Sequence, residues 1–280
     1  MKKWIFSAVT YVIIVIFAYI VYDSISMKGK VEQKVSDHSA AEDHGTHDNT
    51  SNETSDDHHE HKNEENTENQ IKIQVQEENG HIMITLKDFL GNPLKNLEIN
   101  HEKLMHLIVV DEHLDQYYHL HPEEIAAGQF KVKSQLNEGH YKAFVDIKLG
   151  DLAYKVDPIP FKVGNPSTIE HNHPSLEVDK NLEKTVDENS VKLSATDLVV
   201  GEPVTLSFDV HGVELEPYLG AMGHVVILDE KAQEYLHVHP QNENEPVFET
   251  EFSDAGIYKI WAEFKVNGKV TAFPFVVEVK

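Results

Sequence analysis

The feature that most restricts this chain is a duplication carried on strand-like sequence. Met105-His106-Leu107-Ile108-Val109-Val110-Asp111-Glu112 leads to His119-Leu120-His121-Pro122, and His224-Val225-Val226-Ile227-Leu228-Asp229-Glu230 leads to His237-Val238-His239-Pro240. In both halves the first histidine precedes the second by 13 residues and the third by 15. Downstream, Gly139-His140-Tyr141-Lys142-Ala143-Phe144 matches Gly256-Ile257-Tyr258-Lys259-Ile260-Trp261. A match at several points with one spacing, on otherwise divergent sequence, marks two copies of a single unit. Both copies must reach one fold and set their three histidines in the same relative places.

That fold is all-β. Short runs with period-two alternation or continuous apolar character alternate with turn signals: Ile71 to Val75, Ile82 to Leu86, Leu107 to Val110, Tyr117 to Leu120, Phe130 to Val132, Tyr141 to Ile147 and Ile159 to Val163. After Gly164-Asn165-Pro166 the series restarts at Val191 to Ser194 and continues through Val204 to Val210, His224 to Leu228, Tyr235 to Val238, Val247 to Phe252, Tyr258 to Phe264 and Ala272 to Val279. Strands at this spacing predict a β-sandwich or barrel. The expected layout is a membrane segment over 1–30, a stalk over 31–69, one β-domain over 70–165, a polar linker over 166–189 and a second β-domain over 190–280. Two domains of this size can each bury a core.

Side chains at i and i+2 of a strand share a face. His119 and His121 therefore lie on one side of their strand, and His237 and His239 on one side of theirs. The Asp-Glu segment between reads as a hairpin turn. If Ile108 pairs opposite His119, His106 falls opposite His121 and all three share a face; a shift of one residue would turn His106 away. The same arithmetic sets His224 opposite His239. Three converging imidazoles bind Zn(II) or Cu(II), and the proline after each pair ends the strand. The candidate ligands are His106, His119 and His121, then His224, His237 and His239. Met105 and Met222 lie beside the first histidines, and a thioether next to imidazole favours copper. The competing reading is that these histidines are hydrogen-bonded struts. His171-Asn172-His173-Pro174 in the linker is a further motif of the type, and His81, His101, His113, His140 and His211 have no counterpart in the other copy, so they read as surface or turn residues.

Ahead of the domains, Met1-Lys2-Lys3 precedes 19 uncharged residues, Trp4 to Tyr22, long enough to span a bilayer with the body of the chain outside. A cleaved signal peptide, with Ser24-Ile25-Ser26 near the cut, is the alternative, giving a secreted protein. Residues 31–70 carry 12 acids, two lysines and six histidines (His38, His44, His47, His58, His59 and His61) with almost no apolar residues. Such a segment is expected to be disordered, and its imidazoles and carboxylates suit metal capture as well as a plain spacer. The net charge of −24 excludes nucleic acid as a partner. Cysteine is absent, which removes disulfides, thiolate metal sites and a lipoprotein anchor.

No nucleophile-elbow, zincin, Walker or dinucleotide motif is present, so no enzymatic activity is expected. The two histidine segments, with Leu219-Gly220-Ala221-Met222-Gly223 before the second and the strand-like Gly201-Glu202-Pro203-Val204-Thr205-Leu206, resemble bacterial extracytoplasmic proteins of the YtkA-like and FixH-like type over residues 70–280. That resemblance implies tandem immunoglobulin-like β-sandwiches and a copper-handling theme. The expected function is metal binding at the cell membrane, with copper preferred and zinc as the alternative, for buffering, resistance or delivery to a membrane metalloenzyme or transporter. The alternative is an extracellular interaction module with structural histidines.

Overall fold

Alternation decides the first hairpin. In β1 (Ile71–Glu78) and β2 (His81–Asp88), Ile82, Ile84 and Leu86 are fully buried while His81, Met83 and Thr85 keep partial exposure. The strands pair antiparallel from Ile71 opposite Asp88 to Glu78 opposite His81. The structure, a computed structural model, describes residues 71–150, 154–166 and 175–280, apart from the side chains of His237 and His239. The expected anchor, the stalk and the linker motif His171 to Pro174 lie outside the described residues, among which there is no helix.

The first copy continues through β3 (His106–Asp111), β4 (Tyr117–Leu120), β5 (Glu123–Ala126), β6 (Gln129–Lys133), β7 (Gly139–Asp146) and β8 (Ile159–Val163). Its strands form two antiparallel sheets, ordered β1-β2-β6-β5 and β4-β3-β7-β8. Ile82, Ile84, Leu86 and Phe130 from one sheet pack on Leu107, Val109, Tyr141 and Val145 from the other, making a sandwich core.

The second copy holds β9 (Glu183–Val186), β10 (Asn189–Ala195), β11 (Pro203–Val210), β12 (His224–Asp229), β13 (Tyr235–His237), β14 (His239–Pro240), β15 (Val247–Glu251), β16 (Gly256–Val266) and β17 (Lys269–Val279). Its sheets, β14-β15-β11-β10-β9 and β13-β12-β16-β17, repeat the first copy's order with one strand added. That strand, β9, corrects the expectation of a linker reaching residue 189: Glu183 to Val186 pairs with β10. Its alternating Glu-Lys-Thr-Val carries little apolar signal because it forms the sheet's edge.

The third core joins the copies. Ile108, Val110, Leu114 and Phe144 pack against Val226, Leu228, Ala232 and Trp261. The sheets containing β3 and β12 are thus buried on both faces, which is why both strands read as continuous apolar runs rather than alternating ones. The interface has an approximate two-fold relation between equivalent residues. Phe144 stacks on Tyr235 at 5.7 Å and Trp261 on Tyr117 at 4.9 Å between ring centroids. Lys142 Nζ donates to the carbonyl oxygens of Lys231 and Ala232, and Lys259 Nζ donates to that of Leu114. Leu114 and Ala232 hold matching left-handed turn positions, with φ of 58° and 49°. Each lysine neutralises exposed carbonyl dipoles of the opposite turn, which offsets its own loss of hydration.

Candidate metal centre

The β3–β4 hairpin pairs Ile108 opposite His119 and Leu107 opposite Leu120. His106, Ile108 and Val110 consequently face the second copy, while Leu107 and Val109 face the first copy's core. His106, His119 and His121 converge, with one ligand nitrogen from each lying within 4.8 Å of the others. His106 is buried and the His119 side chain is 1 % exposed. The surroundings are therefore dry, and every nitrogen in them needs a partner.

Two of the rings have their tautomers set from outside. His106 Nε2 lies 2.9 Å from the Asn100 carbonyl oxygen, which only accepts, so that nitrogen is the donor. His119 Nδ1 lies 2.5 Å from Glu263 Oε2, so it donates to the carboxylate. The remaining nitrogens, His106 Nδ1 and His119 Nε2, face each other at 2.9 Å. In neutral rings both carry lone pairs, which repel at that distance unless a proton or a metal cation lies between them. Ligand imidazoles characteristically donate their other N–H to a carbonyl or carboxylate, and both do so here. The third ring carries an orphan: His121 Nε2 is buried with no hydrogen-bond partner among the described residues. His121 also lines an open cleft of about 300 Å³ with His81, Glu123, Lys131 and Lys133, a route from solvent.

The second copy enters the same cluster. The His224 ring centroid lies 5.4 Å from that of His106 and 5.2 Å from that of His119. His101, expected to be an ordinary surface or turn residue, sits 5.2 Å from His224 and 6.1 Å from His106, in a loop where its φ is 46°. Sequence reasoning missed it, and Glu263 too, because a loop position and a residue 144 positions from His119 have no periodic signal.

Other expected ligands lie elsewhere. Met105 is fully buried in the first copy's core with Leu107 and Val109; as the neighbour of His106 it points to the opposite face. This corrects its candidacy as a ligand. Met222 is half-buried, in a bridge to Tyr218 before β12. In the second copy Val226 pairs opposite His237, but β14 leaves that sheet and His239 pairs opposite Glu249 of β15. The expected pairing of His239 with His224 is corrected accordingly: the chain crosses between sheets at Val238, which is buried in the sandwich core.

Burial holds the His106 imidazolium pKa down to about 4, against the raising effect of the Asn100 carbonyl. Burial, then the charges of His119, His106 and Lys103, hold His121 down to about 3. Below about pH 6.5 the unfolded chain takes up protons that these folded rings refuse. Their contribution to stability is therefore complete above about pH 6.5 and is lost as the pH falls toward 4 and then 3. We expect the melting temperature of metal-free protein to fall over that window, and to fall less in a His106→Ala, His121→Ala variant. Thermal unfolding at stepped pH checks this; parallel curves for the two proteins would refute it. An exposed imidazole loses metal affinity at about pH 6.5, the ordinary histidine value; burial moves proton competition at these two rings well below it.

A family profile described as a domain of unknown function, DUF8832, matches twice, over residues 59–164 and 184–280. No curated protein matches the sequence. Among solved structures, the chain is similar to the Escherichia coli adhesin FdeC, at 14 % identity and TM-score 0.23, over 76 % of this chain and 64 % of that one. It is also similar to the chicken CNTN1 FN1–FN3 domains, at 10 % identity and TM-score 0.22, over 75 % of this chain and 66 % of that one. A third is the Yersinia pseudotuberculosis adhesin InvE, at 11 % identity and TM-score 0.21, over 75 % and 59 %. The chain thus spans less than two thirds of the FdeC structure, and likenesses this weak carry no argument about activity or partners. The profile match takes in both copies and most of the chain, and on that ground the protein belongs to the DUF8832 family.

Proposed function

We propose that this protein is a non-catalytic binder of a transition-metal ion, held outside the cytoplasmic membrane by Trp4 to Tyr22 and built on immunoglobulin-like sandwiches. The observation that carries this reading is the pair of inward nitrogens, His106 Nδ1 and His119 Nε2, 2.9 Å apart with their partner nitrogens committed to Asn100 and Glu263. An all-imidazole donor set suits Zn(II) and Cu(II) alike. With Met105 in the core, the thioether argument for copper is left to Met222 alone. The role that fits is to buffer the ion or pass it to a membrane metalloenzyme or transporter, with the acidic, histidine-rich stalk collecting it.

Elemental analysis of the full chain after extensive dialysis tests the reading. At least one zinc or copper ion is expected to stay with the wild type and to be absent from a His106→Ala, His119→Ala, His121→Ala variant, which keeps the stalk. Equal metal in both proteins would place binding in the stalk or at the second copy's histidines and overturn the centre at His106, His119 and His121, and none in either would end the proposal.

A second reading, an interaction module, draws on one observation. Phe89 and Leu90 are adjacent on the turn after β2 and 68 % and 71 % exposed, where an isolated apolar pair costs solubility unless a partner covers it. The readings separate by thermal melting with and without added Zn(II): a ligand of the folded state raises the melting temperature, and an interaction module with structural histidines is indifferent.

A further inference from the structure

We infer that the metal centre is shared between the two copies, with His224 of the second copy as the fourth imidazole on the ion held by His106, His119 and His121. This rests on the metal-binding reading and goes beyond it, since the repeated motif by itself assigns His224 to a separate site.

The ring spacings carry the inference. Four imidazoles on one tetrahedral ion, with metal–nitrogen bonds of about 2.0–2.1 Å, set their ring centroids about 5 Å apart. Five of the six separations lie near that value: 5.2 Å for His106 and His119, 5.1 Å for His106 and His121, 4.7 Å for His119 and His121, 5.4 Å for His106 and His224, and 5.2 Å for His119 and His224, while His121 and His224 are not in ring contact. His224 thus stands from His106 and His119 as those rings stand from each other.

The fold puts it there for two reasons. His224 is the counterpart of His106, and the approximate two-fold packing of the copies brings equivalent residues near the axis into contact. The residue before it is Gly223, with φ of 131°. A Cβ at that position would lie 2.6 Å from the Phe264 ring and 2.9 Å from the Glu263 carbonyl oxygen. Glycine alone therefore lets the start of β12 settle onto β16 beside Glu263, the residue that also orients His119. A cation held this way bonds residues of both sandwiches, so its binding fastens the interface between them.

Co(II) titration of the full chain tests this, read by the intense visible bands that tetrahedral Co(II) gives and that weak, hydrated stalk sites do not. His224→Ala, His106→Ala and the double variant are compared with wild type. In a shared centre each single substitution alters the same bands and weakens Co(II) binding by at least ~10- to 100-fold, as loss of a residue at a metal site does, and the double variant adds little further loss. His224→Gln, which keeps a polar side chain of similar size, carries the comparison if the alanine variant does not fold. Unchanged bands and affinity in the His224 variants, with those of His106→Ala lost, would overturn the shared centre and leave metal binding standing. So would bands lost in two independent, additive portions. Absence of tetrahedral bands in the wild type would overturn both.

Discussion

Trp261→Ala is expected to lower the unfolding free energy by about 3–5 kcal/mol, the usual cost of removing a large buried side chain. Trp261 is 3 % exposed, stacks on Tyr117 with an interplanar angle of 13°, and lies 5.4 Å beneath Lys259 Nζ. It belongs to neither sandwich core but to the layer between them. Its loss opens a cavity between two rigid sheets that cannot collapse, and it withdraws the aromatic face from a lysine whose ammonium burial already disfavours. In a body of about 200 residues that cost corresponds to a fall in melting temperature of about 10 °C. Differential scanning calorimetry measures it. A change below about 1 kcal/mol would mean that the copies are not energetically joined. A single cooperative transition in the wild type that splits in two in the variant would show the interface coupling two otherwise separable domains.

His119→Ala acts on stability and on binding together. The side chains of His119 and Glu263 are 1 % and 7 % exposed and meet at 2.5 Å. Removing the imidazole leaves the Glu263 carboxylate buried without that donor, and losing a hydrogen bond to a charged group costs about 1.5–3 kcal/mol. It also deletes the inward Nε2 that faces His106. The metal-free variant is expected to unfold at lower denaturant, and added Zn(II) is expected to raise the wild-type midpoint and to leave the variant's midpoint where it was. His119→Ala, Glu263→Ala removes the orphaned charge and should recover part of the stability but none of the metal response. Chemical denaturation of the three proteins with and without Zn(II) measures each of these. Equal metal responses in wild type and His119→Ala would show that His119 is a strut and not a ligand.

What the chain alone determined was local. Period-two alternation marked the strands that bury one face, and turn residues separated them. The strands it did not mark are β5, β9 and β14, which are short and lie at sheet edges, where apolar burial is slight. Spacing within one strand also put His119 and His121 on one face, because a pleated strand turns each side chain by half a revolution; the register that brings His106 to that face was conditional in the sequence and is fixed by Ile108 standing opposite His119 in the fold. The same rule sends Met105 to the opposite face from His106, so its place in the core was legible from one-residue adjacency. What no local rule contains is contact between elements far apart in the chain. His224 beside His106, Glu263 under His119 and His101 beside both copies depend on two sheets packing face to face, and that packing follows from complementary shape among Ile108, Phe144, Val226 and Trp261. The fully apolar runs at Leu107 to Val110 and Val225 to Leu228 fit sheets that bury both faces. Only the tertiary structure decided that each covers the other, because the free energy of that choice belongs to the pair of surfaces and to neither segment by itself.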